Sequence, residues 1–410
     1  MTCLARADEV TLAGMPSPLA PVRPRHVAWL AAALVAGVAP GACLPSYTLV
    51  EGTSTSGASG SGGGAGSSTS GSSGGGADGG CQSVACDPHN CGATGHDCLG
   101  GECLDGVCQP FTLLGGLHTP VAIALTADGV YFNDGSDIFT CAKTGCGPSG
   151  SAKQVIALAE IGVASLAVDA THLYWTTDVS PTGGVKRCLL PTCQQGTEAL
   201  ASMLDQPADV AVDATSLYVV AGVPSQGVVL GCPLTGCGPL NSAAQTYATN
   251  LGQPVRVVPT DTELYWTTAD GHLQRCPLTG CAGSPEDVAI NVNPTALTLT
   301  AGVAYFGGAS GDLIICSLPA CTQVVVAHTS VPAMALTVDH THVYWSESGV
   351  NDMPTGTINR VDVAGGIGKT LASDLPAPGA MASDTTAIYW VNNGTALNAF
   401  KDGSVMKLAK

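Results

Sequence analysis

Cysteine is the residue in this sequence with the most chemistry to offer. There are eighteen, and their spacing decides among redox catalysis, metal binding and structural bridging. Ten fall in five pairs with one gap: Cys141/Cys146, Cys188/Cys193, Cys232/Cys237, Cys276/Cys281 and Cys316/Cys321. A redox-active thiol pair needs a C-x-x-C spacing and a helix N-terminus to lower a thiol pKa, and neither is present. A four-residue loop between two strands instead brings its flanking Cα atoms to about 5.5 Å, the separation a disulfide needs. Each pair is therefore expected to staple the turn between two strands. Six more cysteines, Cys81, Cys86, Cys91, Cys98, Cys103 and Cys108, crowd into 28 residues with few apolar side chains. Such a segment cannot fold by burial alone, so three disulfides are expected to stand in for a core, with fifteen connectivities open. His89 and His96 raise zinc as the alternative, but zinc sites favour tighter pairs. These sixteen can all pair, which fits an oxidising compartment.

The remaining acid–base candidates do not assemble into a catalytic set. His172, His340 and His342 occupy turns, where a polar residue is ordinary, and His118, His272 and His328 share no common phase. Asp209 and Glu286 stand isolated in the sequence. No catalytic residue, metal ligand or cofactor is assigned. A net charge of −17 argues against nucleic acid, which demands a basic surface, and against charge-driven adsorption to an anionic membrane.

The elements that position the cysteines follow from an internal repeat. Val130-Tyr131-Phe132, Leu173-Tyr174-Trp175, Leu217-Tyr218-Val219 and Leu264-Tyr265-Trp266 recur as short strand signals. Ala304-Tyr305-Phe306, Val343-Tyr344-Trp345 and Ile388-Tyr389-Trp390 continue the series. The tyrosines stand about 43 residues apart, the length of a four-stranded propeller blade. Five positions before each tyrosine lies only Asp or Thr (Thr126, Asp169, Asp213, Thr260, Thr300, Asp339, Asp384), side chains that close tight turns. Proline stands eleven residues before the tyrosine at Pro120, Pro207, Pro254, Pro294 and Pro378, and twelve before it at Pro332. Between proline and turn runs a small apolar strand suited to the crowded axis.

In the sixth repeat Val361-Asp-Val-Ala-Gly-Gly366 replaces the cysteine pair, so the bridge serves stability rather than chemistry. The last repeat lacks one strand, and Phe111-Thr-Leu-Leu114 supplies one before the first proline. The expected architecture is thus all-β: a seven-bladed β-propeller over 111–410, closed by an N-terminal strand. A Cys-rich disulfide stalk precedes it at 81–110.

Ahead of that stalk, Arg23 and Arg25 flank an apolar run of about a dozen residues ending in small residues, the pattern of a signal peptide. Gly41-Ala42-Cys43 resembles the end of a bacterial lipobox, in which the cysteine thiol receives a diacylglyceryl group. Pro40 stands where the pattern prefers Leu, and ordinary cleavage remains the alternative. The resemblance implies a signal peptide over 1–43 and Cys43 as a lipid anchor. Residues 44–80, largely Gly, Ser, Thr and Ala, form a disordered linker with a mean reach of about 30 Å.

The strings Leu-Tyr-Trp-Thr-Thr at 173–177 and 264–268, and Val-Tyr-Trp-Ser at 343–346, resemble the YWTD strand of low-density-lipoprotein-receptor-type propellers. Those have six blades and an Asp at the fourth position, so the likeness implies architecture only. The chain as a whole, with Gly95-His-Asp-Cys-Leu-Gly-Gly101, resembles exported Cys-rich-stalk propeller proteins of myxobacterial type. The expected role is a binding or scaffold module of the cell envelope, as an outer-membrane or periplasmic lipoprotein, or a secreted one. It would bind an unknown protein or glycan on a propeller face, with membrane contact through the lipid anchor only. The alternative is a propeller hydrolase, lyase or dehydrogenase with its site at a channel mouth. The insertions at 178–183 and 350–356 share a phase and are expected to project from one face.

Overall fold

The computed structural model describes residues 83–179, 182–238, 241–329, 331–349 and 353–410. The expected signal peptide, Cys43, the linker and Cys81 lie outside them. Among the described residues are seven four-stranded antiparallel sheets and one two-stranded ribbon. Blade 1 comprises Ile123–Leu125, Gly129–Asp134, Asp137–Ala142 and Gln154–Ala157, from the innermost strand to the outermost. Blades 2 to 6 span 166–204, 209–251, 254–290, 292–328 and 335–375. Blade 7 takes Pro378–Ser383, Ala387–Asn392 and Gly403–Ala409 from one end of the sequence and Phe111–Leu117 from the other. Each innermost strand packs on the next, and the seventh returns to the first. The protein is a closed seven-bladed β-propeller.

Alternation along the second strand builds the core. Successive side chains point to opposite faces of a sheet, so each tyrosine packs toward the following blade and the residue after it toward the preceding one. Tyr174 joins the apolar cluster between blades 2 and 3, while Trp175 joins that between blades 1 and 2. The same split holds for Tyr265/Trp266 and Tyr344/Trp345. The core is therefore a ring of interblade layers rather than one central mass.

The aspartates before the tyrosines close the turns between the first two strands. Asp169 Oδ1 accepts the backbone N–H groups of Thr171 and His172, and Oδ2 accepts the Tyr174 hydroxyl at 2.7 Å. Asp213, Asp339 and Asp384 repeat the arrangement with Tyr218, Tyr344 and Tyr389. Where threonine stands instead, its hydroxyl takes the turn N–H groups: Thr126 accepts that of Gly129, and Thr260 accepts those of Thr262 and Glu263.

The prolines mark crossings between blades. A Cβ on Gly356 would meet Pro378 Cδ at 2.1 Å, and one on Gly403 would meet Pro120 Cδ at 2.6 Å. Glycine at the start of the third strand thus makes room for the proline that leads into the next blade.

All seven outermost strands carry a bulge at the same register position, which nothing in the sequence pattern announced. Ile156, Leu200, Tyr247, Val288, Val326, Leu371 and Leu113 are the extra residues. A bulged residue is left out of the ladder, so its carbonyl is available to the next blade. Leu200 O accepts Cys237 N–H at 2.7 Å, Leu113 O accepts Cys146 N–H at 3.2 Å, and Val326 O accepts Gly366 N–H at 3.3 Å. Cys281 Sγ lies 3.3 Å from Tyr247 O.

The five bridges, Cys141–Cys146, Cys188–Cys193, Cys232–Cys237, Cys276–Cys281 and Cys316–Cys321, are all formed. Their Cα–Cα separations run from 4.6 Å at Cys316–Cys321 to 5.5 Å at Cys276–Cys281. The expectation that each second cysteine flanks a four-residue hairpin is corrected by the structure. After Cys146 the outermost strand begins only at Gln154, and after Cys193 only at Thr197. Cys193 therefore sits in the loop, outside both strands, rather than at the head of the fourth.

Cys193 also departs from the pattern of Cys146 and Cys237. Its N–H turns back to Leu189 O of its own blade at 3.0 Å, as that of Cys321 does to Ser317 O at 2.9 Å. The reason lies one residue earlier. Gly145 and Gly236 take the left-handed backbone, with φ of 127° and 105°, and so aim the next N–H at the preceding blade. Thr192 and Ala320 stand in their place in blades 2 and 5. There the cysteine itself turns left-handed, with φ 56° at Cys193 and 43° at Cys321. Cys193 is nevertheless buried between blades 1 and 2, beside Tyr131 and Leu173. All five bridges thus lie where blade meets blade, but only some of them present an N–H across the junction.

Blade 7 has no such loop, because its third and outermost strands are not consecutive in sequence. Ser83–Cys108 takes that place instead of standing clear as a stalk. Cys91–Cys103 and Cys98–Cys108 are bridged, and Cys86 is also in a disulfide. The four bridged cysteines pack with Tyr344, Trp390 and Leu408, and with the bulge residue Leu371 of blade 6. His96 Nε2 bonds Lys410 O at 2.9 Å, and the buried Lys407 ammonium donates to Leu99 O and Lys143 O.

Both junctions of blade 7 are also ion-paired. Lys143 of blade 1 reaches Asp384 at 2.8 Å, and Lys410 reaches Asp339 at 3.1 Å. At the same register position blades 2 to 5 carry Leu190, Leu234, Leu278 and Leu318. Burial alone would raise both carboxyls, but it is outweighed for Asp384 by Lys143 and the Thr386 and Ala387 amides, and for Asp339 by the Thr341 and His342 amides and Lys410. Both are held well below the usual carboxylate range.

Carboxyls depressed in the folded state stabilise it above their unfolded pKa, about 4, and that stability is lost as pH falls further. Thermal melts between pH 7 and pH 2 should therefore decline in the acid limb, and Asp339→Asn/Asp384→Asn should melt lower at pH 7 with a shallower acid decline. An unchanged acid limb would remove the seam from the account. Removing one blade bridge, as Cys232→Ser/Cys237→Ser, should cost about 2 kcal/mol in urea denaturation for so short a loop.

Candidate binding face

The blades present two unlike faces. One carries the aspartate turns and the bridged loops, and Ser83–Cys108 docks at its edge. The other carries the loops between second and third strands and the connections from blade to blade, and is here called the crossover face.

On the turn face the turn aspartates and most tyrosine hydroxyls are committed to the fold. The hydroxyls of Tyr131, Tyr174, Tyr218, Tyr265, Tyr344 and Tyr389 are hydrogen-bonded, and burial, reinforced by Asp169, pushes Tyr174 up to about 12. Tyr265 is likewise pushed up to about 12 by burial and then by its bond to Glu263. His172 and His342 lean on their threonine neighbours at 2.7 Å and tilt over Tyr174 and Tyr344. An open cleft of about 990 Å³ lies between blades 1 and 2, lined by Thr126, Asp128, Tyr131, Gln154, Leu190 and Pro191. Across it the Tyr131 hydroxyl donates to Pro191 O at 3.2 Å.

Around the axis runs a polar belt that joins five blades. Asp209, buried at the start of the innermost strand of blade 3, accepts the Ser165 hydroxyl of blade 2 at 2.5 Å and Val257 N–H of blade 4 at 3.0 Å. Arg256 lies 3.6 Å from Asp209 and donates to Thr295 O of blade 5. Asn293 then reaches Ala333 O at the entry to blade 6. Asp209 is thus the centre of a network, not isolated as its sequence position suggested. Its partners are 44 and 48 residues away, out of reach of any local pattern.

Glu286 pairs with Arg275 at 2.7 Å on the rim. His118, His272 and His328 each face one aspartate: Asp134, Asp287 and Asp312. Among the described residues, the ligand-type group close enough to share a metal is Cys91, Cys98 and Cys103. All three are bridged, so their sulfurs are not free thiolates.

The crossover face differs at the junction of blades 1 and 2. Leu158 and Ile161, on the connection between them, are 61% and 60% exposed, and Val179 in the blade 2 loop is 44% exposed. Asp178 N–H bonds both Ile161 O and Gly162 O at 3.1 Å, which sets Val179 beside Ile161. Among the described residues three buried side-chain polar atoms have no partner: Trp175 Nε1, Asp178 Oδ1 and Asn393 Oδ1. Two of them belong to this corner. In blades 6 and 7 the equivalent indole N–H groups find Glu347 and Asn392 two residues on, where blade 2 has Thr177. The insertion at 178–183 had marked this loop in the sequence; Leu158 and Ile161 gave no sign.

No family model matches the chain, and no curated protein matches it. Solved structures do. A computationally designed protein, Ika8, aligns with 73% of this chain and 98% of its own at 13% identity and a TM-score of 0.47. The extracellular domain described as part of a hybrid two-component system of B. thetaiotaomicron aligns with 72% of this chain at 11% identity and a TM-score of 0.51. This chain spans 39% of that one, and the likeness concerns the fold alone.

The belt gives a direct test. Asp209→Ala would leave Val257 N–H and the Ser165 hydroxyl without their acceptor, and should cost about 1–3 kcal/mol in urea denaturation. A neutral result would mean that the belt does not hold the ring.

Proposed function

We propose that this chain is an exported, membrane-tethered binding module that holds a propeller face out to a protein or glycan partner. The observation that carries it is the difference between the faces. The turn face spends its turn aspartates and most of its tyrosine hydroxyls on the fold and receives the N-terminal module. The crossover face keeps exposed Leu158, Ile161 and Val179 beside unpartnered polar atoms. The numerous bridges belong to an oxidising, extracytoplasmic setting. Within this reading Cys43 carries the lipid, 44–80 is the tether, and the chain enters the propeller at Ser83 on the turn-face side.

Intact mass of the protein from its native host, with and without reductant, tests the tether. The expected product begins at Cys43 with acyl mass and gains sixteen hydrogens on reduction. An unacylated product removes the anchor, and free thiols at the paired positions remove the stapled ring. A photo-reactive residue at Val179 should give a discrete adduct in cells, and one at Ile367 on the turn face should not. The same adducts from both sites would remove the face assignment.

A further inference from the structure

We propose that the cleft between blades 1 and 2 on the turn face binds an arginine side chain of a partner protein, in the place that a built-in cation takes elsewhere in the ring. The site does not depend on the crossover-face reading. Its warrant is a comparison of the blades with one another. The third-strand residue paired with each second-strand tyrosine lies on the same side of the sheet, facing the following blade. In four blades it is a cation: Arg187, Arg275, Arg360 and Lys407. Arg187 bonds Glu198 on the outermost strand at 2.7 Å and donates across the junction to Leu234 O of blade 3 at 2.6 Å. Lys407 likewise crosses to Lys143 O at 3.0 Å, and Arg275 holds Glu263 and Glu286. Blades 3 and 5 fill the space without a cation. Tyr247 lies against Gly231 and bonds Leu278 O at 2.9 Å, and Ile315 packs against blade 6.

Blade 1 does neither. Its residue at this position is Thr140, too short to cross, and the hydroxyl turns back to Val130 O of its own sheet at 3.0 Å. The outer-strand neighbour is Gln154, where blades 2 and 4 have Glu198 and Glu286. The cleft of about 990 Å³ is the space these short side chains leave. Its lining selects the occupant. Exposed Asp128 and the turn carboxylate of Asp169 border it, and no Lys or Arg does. The cations of blade 1 are committed elsewhere, Lys143 to Asp384 at 2.8 Å and Lys153 to Asp134 at 3.8 Å. A guanidinium brings five donors in a planar fork, which suits the Asp128 carboxylate and the exposed Gln154 amide oxygen together. An anionic group would meet carboxylates and no cation, and a neutral one would forgo the charge complementarity. Residues 44–82 contain no Lys or Arg, so the segment leading into the propeller cannot supply the group. A cleft of this volume admits the side chain with part of the segment that carries it.

The probe is a labelled pentapeptide with one central arginine between alanine and glycine, read by fluorescence anisotropy on the full chain. Matched peptides carry citrulline, which keeps the shape without the charge, or lysine, which keeps the charge without the fork. Asp128→Asn removes the cleft's exposed carboxylate. Asp261→Asn changes the net charge equally at the turn of blade 4, where Asp261 is exposed. Thr140→Arg/Gln154→Glu copies the Arg187–Glu198 pair into blade 1, which fills the cleft at constant net charge. Thermal melts establish that each variant is folded. The expected result is saturable binding of the arginine peptide, about tenfold weaker with citrulline or lysine in its place. Asp128→Asn should weaken it about tenfold, the double variant should abolish it, and Asp261→Asn should leave it unmoved. Equal binding of the citrulline or lysine peptide, equal loss in the two aspartate variants, or no binding overturns the proposal. So does undiminished binding by a folded double variant. The crossover face is read separately by the Val179 adduct, so each reading can fall without the other.

Discussion

The ring depends on one constraint: the outermost strand of every blade is bulged at the same place, and the third-to-fourth loop of the next blade, or Ser83–Cys108 where blade 7 has none, packs onto that bulge. A flat outer strand would spend every carbonyl within its own sheet or on solvent, and neighbouring blades would meet only through side chains. The bulge leaves a carbonyl for Cys237, Cys146 or Gly366, and its own side chain fills the wedge beneath. The bridges of blades 1 and 3 then acquire a purpose that goes beyond bracing a turn. They hold the docking N–H in place, because a loop rich in Gly and Pro would otherwise lose much entropy on ordering. Blade 6 shows that the carbonyl contact can stand alone: Gly366 makes it without any cysteine. Blades 2 and 5 show the converse, since Cys193 and Cys321 keep their N–H groups at home and the junction there rests on packing.

Blade 7 shows how the junction is kept when the chain cannot supply the loop. Its third and fourth strands come from opposite ends of the sequence, so the gap must be closed by something non-local. Ser83–Cys108 fills the wedge with bridged cysteines, covering Leu371 as the loops cover the other bulges. Lys143 and Lys410 stand where most blades have leucine, and bind the two aspartate turns that flank the seam. Half-buried charge pairs with several amide donors are more specific than an apolar contact. That specificity suits the one blade whose parts must find each other across the whole chain.

Much of this is legible in the sequence because it is local. The tyrosine period, the Asp or Thr five residues earlier, and the cysteine gap are each written within one repeat, and together they determine blade number, turns and bridges. The closing strand is legible by subtraction. The bulge is not, since Leu200 or Val326 looks like any apolar residue of an outer strand, and register shows only when two strands are seen together. The different course of the loop at Cys193 has a local sign, Thr192 in place of glycine, but a shared cysteine gap hides it. Asp209 escapes because its meaning lies in partners from two other blades. The candidate face is half visible. The insertion after Asp178 can be read, but the exposure of Leu158 and Ile161 and the unbonded Asp178 oxygen exist only in three dimensions.

The bridges of the blades also bear on how the chain can be oxidised. Each joins cysteines five residues apart, so every one of these thiols has its native partner as its nearest cysteine along the chain. Short loops close fastest and at the highest effective concentration, so random first encounters already give the native pairing. Ten cysteines in one domain would otherwise offer hundreds of wrong combinations. The interleaved pairs Cys91–Cys103 and Cys98–Cys108 are the exception, where a nearest-neighbour bond is the wrong one. Demand for disulfide isomerisation in this chain is therefore concentrated in the small N-terminal module, the part that seals the ring.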